Sequence, residues 1–149
     1  MLTEEIKNSI DESVLCWLAT ADEEGAPNCS PKEIFTYFGE SQLVIANIAS
    51  PQSVSNIDKN PSVCISFVHV FKQKGFQLKG VAKYATADDD AFPEQLALAQ
   101  SLAGEMFPVK GVIVVEISSA KPIIAPGYYF VTGVTEESQI QNAKLTYGV

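Results

Sequence analysis

Leu2, Ile6 and Ile10 recur at helical spacing at the start of the chain, which predicts a short helix over residues 3–11. Thr3 is placed to cap it, and Glu4 and Glu5 suit the positive end of its dipole. VLCWLATA (14–21) is dense in apolar and aromatic residues and reads as a strand. DEEG (22–25) is a hairpin loop in which Gly25 takes positive φ. PNCSPKEIFTYF (27–38) returns as a second strand, FGES (38–41) turns, and QLVIANIA (42–49) is a third. This first part reads as an antiparallel meander.

The third strand then empties into small polar residues: IANIASPQSVSNI (45–57) places Ser50, Ser53 and Ser55 at the mouth of a helix. Ser50 suits the N-cap and Pro51 the first helical position, where its missing N–H costs nothing. Val54 and Ile57 face inward, and Asn60-Pro61 ends the helix. Free N–H groups at such a start, with hydroxyls of Ser50 and Ser53 beside them, suit an anion and above all a phosphate. A serine here serves equally well as a plain cap with nothing bound.

SVCISFVHVF (62–71) is apolar enough to predict a strand covered on both faces. After KQKG (72–75), FQLKGVAKYAT (76–86) alternates Phe76, Leu78, Gly80, Ala82 and Tyr84 against Gln77, Lys79 and Lys83. Gly80 within that strand points to a bulge or a close backbone approach. Beyond ADDD (87–90), Pro93 opens a helix whose stripe of Leu96, Ala99, Leu102, Ala103 and Met106 is assigned to the core. GVIVVEIS (111–118) is the last strong strand. The tail EESQIQNAKLTYGV is weakly patterned and open to ordering by a partner chain. Strands joined by tight turns, with helices between them, indicate a mainly β, antiparallel barrel with short helices over its openings, one domain spanning 1–149.

Composition narrows the chemistry. A net charge of −8 argues against general affinity for nucleic acid or anionic membrane. No apolar run reaches the roughly 20 residues of a membrane helix, and the acidic amphipathic start resembles no targeting peptide, so a cytoplasmic setting is expected. All 10 basic residues are lysines, so any phosphate must be held by lysine, hydroxyls and backbone N–H, without a guanidinium fork. Cys16, Cys29 and Cys64 have neither the even number of a disulfide framework nor metal-ligand spacing, and each reads as a small buried hydrophobe. His69, the one histidine, reads as a hydrogen-bonded core residue, and Trp17 as core.

The order and spacing of LATADEEGAPNCSPKEIF (18–35), LVIANIASPQSVSNIDKNPSVCISF (43–67), FQLKGVAKY (76–84) and VKGVIVVEIS (109–118) resemble the pyridoxamine 5'-phosphate oxidase-like FMN-binding split-barrel family, in its short stand-alone form. The resemblance implies an antiparallel split β-barrel with flanking helices, and a homodimer with FMN at the subunit interface. It implies that Ser30, Pro31, Lys32 and Glu33 border the flavin ring and that Ile48, Ala49 and Ser50 flank the ribityl chain. Gln52 and Ser53 would meet the phosphate, with Lys79 and Gly80 on a neighbouring strand near the cofactor. Many members carry a cation where this chain has Gln52, so Lys32 or Lys79 would have to supply the missing charge. Lys32 is also the side chain expected to tune the flavin from its pyrimidine edge.

True pyridoxamine phosphate oxidases use arginines and a histidine over the substrate, and this chain has no arginine, so that named activity is set aside. The expected function is a dimeric FMN-dependent oxidoreductase or flavin reductase-like electron carrier working with a small-molecule donor or acceptor. The alternatives are a non-catalytic FMN or small-ligand binding protein, or a deazaflavin-dependent or haem-binding relative on the same fold. Haem is disfavoured by the single imidazole, and a deazaflavin's acidic tail by the shortage of cations.

Overall fold

The computed structural model describes all residues, Met1–Val149. Seven strands form one antiparallel sheet: β1 (Cys16–Ala21), β2 (Pro27–Lys32), β3 (Phe35–Phe38), β4 (Gln42–Asn47), β5 (Ser62–His69), β6 (Lys74–Tyr84) and β7 (Gly111–Ile124). Five helices join or follow them: α1 (Glu4–Asp11), α2 (Pro51–Lys59), α3 (Phe92–Ala103), α4 (Gly127–Phe130) and α5 (Glu136–Tyr147). The sheet order is β2-β1-β5-β6-β7-β4-β3, a curled half-barrel with short flanking helices, as expected.

The local expectations fail where one run of residues serves two places. Residues 27–38 form two strands and not one, because β2 pairs with β1 at one edge while β3 pairs with β4 at the other. Two hairpins at opposite edges therefore replace the expected meander. Gly80 meets both expectations. The register shifts between Lys79 and Gly80, and a Cβ at Gly80 would overlap the Glu116 carbonyl of β7. Thr3 caps α1 by accepting the Ile6 N–H at 3.3 Å, and the tail forms α5 behind a Thr135–Ser138 capping box.

The inner face of the sheet closes around Leu18, Leu43, Ile45, Ile65, Phe67, Leu78, Ile113 and Val115, with Ile6, Ile10 and Ile57 from α1 and α2. A second cluster, with Val44, Ala46, Val112 and Val114, lies on the outer face under Ala99 of α3. Only that end of the outer face is covered. The other end, β2-β1-β5-β6, leaves Trp17 48% exposed with Val68 and Val81 also open, so neither Trp17 nor the outward side of β5 is core within one chain. Cys16 is buried as expected, but Cys29 is exposed and Cys64 half-buried on this face. The α3 stripe is corrected as well. Ala99 is buried, but Leu102 in the last turn of α3 is exposed, and Met106 lies past Ala103, where Gly104 swings the chain away.

Candidate functional site: a lysine and three serines at a helix start

Alternation along β2 turns Ser30 and Lys32 to the inner face, beside the start of α2. Lys32 is only 7% exposed. Its Nζ donates to Ser30 Oγ at 2.8 Å and to Ser50 Oγ at 2.6 Å, and Ser30 Oγ lies 3.4 Å from Ser53 Oγ. No carboxylate pairs with this ammonium. Burial pushes the Lys32 pKa below its ordinary value, partly offset by attraction to Cys16, its cross-strand neighbour.

Ser50 occupies the N-cap position of α2, yet its side chain makes no capping bond. An N-cap hydroxyl ordinarily accepts from the second or third helical N–H. Here it accepts from Lys32, and the first intrahelical bond closes only at Val54 N–H to Ser50 O. The Gln52 and Ser53 N–H groups are left at the positive end of the helix. Asn47 fixes the approach: its Oδ1 accepts the Ser50 N–H at 3.1 Å, while its Nδ2 donates to Tyr84 OH at 3.1 Å. Tyr84 lies where a side chain on residue 111 would be, which is why Gly111 is needed there. Further along α2, Gln52 Nε2 donates to Asn56 Oδ1 at 2.8 Å, and Asn56 Nδ2 to Thr20 Oγ1 at 3.0 Å.

A groove of about 160 Å³ opens beside Lys32, walled by Pro31, Glu33, Ile48, Ala49, Ser50 and Phe107 among others. Six residues expected at the site thus share one groove, and Ser30 and Ser53 join it through the hydroxyl cluster. The rest do not. Gln52 offers the cluster a backbone N–H, its side chain being spent on Asn56. Lys79 is exposed on β6, and Gly80 is packed against β7, with β1 and β5 between β6 and β2. Asn47 and Phe107 went unnoticed in the sequence. The signal for Phe107 was a large aromatic between Gly104 and Pro108, in a loop with no core to bury it.

A cation, three hydroxyls and two free N–H groups form a donor set for a phosphate, with the ammonium lacking any counterion in the chain. The fit is therefore chemical as well as positional.

A second, larger groove of about 570 Å³ lies on the outer face between Trp17, Val68, His69 and Phe71. His69 Nδ1 accepts the Lys72 N–H at 3.1 Å, so the proton of the neutral ring sits on Nε2.

Residues 2–123 match the model of the family described as Pyridoxamine 5'-phosphate oxidase. Among solved structures the chain is similar to HupZ of Group A Streptococcus, with TM-score 0.70 and 25% identity over 80% of this chain and 92% of that one. It is also similar to an FMN-binding protein from Syntrophomonas wolfei, with TM-score 0.70 and 14% identity over 83% and 87% of the two chains. A third similar structure is HutZ, the haem storage protein from Vibrio cholerae, with TM-score 0.56 and 21% identity over 80% and 93%. No curated protein matches the chain.

Proposed function

We propose that this chain, which belongs to the pyridoxamine 5'-phosphate oxidase family, binds FMN and works as a small flavin-dependent oxidoreductase or flavin reductase-like electron carrier. The observation that carries the reading is the buried Lys32 ammonium, paired only with serine hydroxyls, at the uncapped start of α2. In this reading Lys32 and the hydroxyls of Ser30, Ser50 and Ser53 hold the phosphate with the Gln52 and Ser53 N–H groups. Lys32 supplies the charge that Gln52 lacks, and serves the phosphate in place of the pyrimidine edge. Ile48 and Ala49 form the apolar wall that shields the rest of the ligand from water. The bound flavin would supply the electron-transfer chemistry, while the protein supplies binding, orientation and electrostatics. Pyridoxamine phosphate oxidation itself stays outside the proposal, since the chain has no arginine to hold that substrate.

A homodimer belongs to the same reading. The uncovered outer face of β2-β1-β5-β6, with Trp17, Val68 and Val81, is the surface a second copy would cover. Sedimentation velocity at several concentrations tests this: a single monomeric species throughout would count against it. Haem fits less well. His69 is the one imidazole, and because its Nδ1 accepts the Lys72 N–H, ligation of iron through Nε2 would require the ring to change tautomer and give up that bond. Lys32 is the only cation lining the smaller groove, too few for the acidic tail of a deazaflavin.

The test is a visible spectrum of protein purified without added cofactor, repeated after FMN or riboflavin addition and gel filtration. Bands retained with FMN and lost with riboflavin support the phosphate cradle; retention of neither overturns it. Steady NAD(P)H consumption by the FMN-loaded protein would support the enzyme, and tight binding without turnover the storage or sensing alternative.

A further inference from the structure

Phe107 lies on the loop between α3 and β7, belongs to neither core cluster and is 52% exposed, yet it walls the groove that holds Lys32 and Ser50. The loop that carries it is fixed by one side chain. Gln100 Nε2 donates to Gly104 O at 2.9 Å and to Phe107 O at 3.1 Å, and Gln100 Oε1 accepts the Val109 N–H at 3.1 Å. One residue further on, Lys110 N–H donates to Asn47 O at 2.9 Å, and Asn47 in turn holds the Ser50 N–H. The aromatic is thereby tied to the same strand end that sets the start of α2.

The Gln100 bonds seat Val109 against the outer cluster and hold Phe107 by its backbone carbonyl. A half-exposed phenyl ring still forgoes much of the benefit of burial, so packing gives no reason for an aromatic at this position. Its place opposite an anion cradle gives one. We propose that Phe107 is a ring-stacking residue of this groove and Gln100 its positioning residue, so that the site selects a phosphate ester carrying a planar aromatic ring. The inference rests on the flavin reading and adds to it the residue that separates ring-bearing phosphates from ring-free ones. Aromatic stacking tolerates many planar rings, because it is the π-face that is read.

Titration calorimetry with FMN and with inorganic phosphate, on the wild-type chain, Phe107→Ala, Phe107→Tyr and Gln100→Ala, tests it. Phe107→Ala should weaken FMN binding about tenfold and leave phosphate binding unchanged, while Phe107→Tyr keeps both. Gln100→Ala should lose FMN affinity to the same extent as Phe107→Ala, with no further loss when the two are combined, while phosphate binding persists. If wild type binds FMN and Phe107→Ala binds it equally well, the inference falls and the flavin reading stands. If wild type binds phosphate but gains nothing from the flavin ring, both fall together.

Discussion

Lys32 Nζ donates to Ser50 Oγ at 2.6 Å, so the serine at the N-cap of α2 serves a lysine from another strand in place of its own helix. The bond spans 18 positions of sequence and defines the candidate site. It also makes Ser50→Ala an unusual cap substitution. Because no capping bond is lost, the ordinary helix penalty is absent; what goes is one of two acceptors of a buried ammonium. The expected cost is about 1.5–3 kcal/mol of folding stability, as for hydrogen bonds to charged groups. Urea unfolding would measure it, and no change in midpoint would show that water replaces the hydroxyl freely.

Lys32→Met should separate stability from binding. An ammonium buried without a carboxylate is costly, and an apolar side chain of similar length removes that cost. The variant is expected to unfold at the same or higher urea concentration than wild type. Its preference for FMN over riboflavin should shrink by the loss of a charge-assisted contact, about 1.5–3 kcal/mol. A variant both destabilised and unchanged in FMN preference would assign Lys32 a purely structural part.

The pH dependence follows from the same burial. The folded Lys32 pKa lies below the unfolded value of 10.5, so between the two the unfolded chain holds more protons. Stability from this group is fully present above 10.5 and is lost as pH falls through the lowered folded value. Phosphate affinity should run the other way, weakening as pH rises through the lowered value and Lys32 loses its charge. Binding titrations across alkaline pH, on wild type and Lys32→Met, would show the slope in the first and its absence in the second.

Cys16 should be inert in the native protein. Burial pushes its thiol up to about 12, against a smaller downward pull from Lys32, so almost no thiolate exists near neutrality. A thiol reagent is expected to label Cys16 only when the chain unfolds, with mass mapping as the readout. Labelling at the rate of an exposed cysteine would mean that the Cys16–Lys32 region opens readily.

Gly80→Ala should damage the sheet where β6 shifts register against β7. The added Cβ meets backbone, the Glu116 carbonyl, and not a flexible side-chain end that could turn aside. A loss of about 1–3 kcal/mol or more is expected in chemical unfolding. Wild-type stability would imply that the bulge can slide.

The helix start at Ser50-Pro51 was legible because capping chemistry is local: a hydroxyl, a proline and the first free N–H groups lie within one turn. The alternation of β6 was legible for the same reason, and so was Gly80, whose bulge the strand pattern already marked. The α3 stripe misled because periodicity names an apolar face without saying where the helix ends. Leu102 fits the period but stands exposed in the last turn of α3, and Met106 falls beyond its end at Ala103.

Most of the elements, the mainly β antiparallel class and the start of α2 at Ser50-Pro51 were readable in the sequence, since each rests on the spacing of neighbouring residues. Only the tertiary structure decided which lysine meets that start. It parted residues 27–38 between opposite edges of the sheet, brought Lys32 to Ser50 rather than Lys79, turned the Gln52 side chain to Asn56, and set Phe107 over the groove through Gln100. Strand pairing and the packing of α2 on the inner face are contacts between distant segments. Their energies depend on which surfaces meet in space, and no local pattern carries that information.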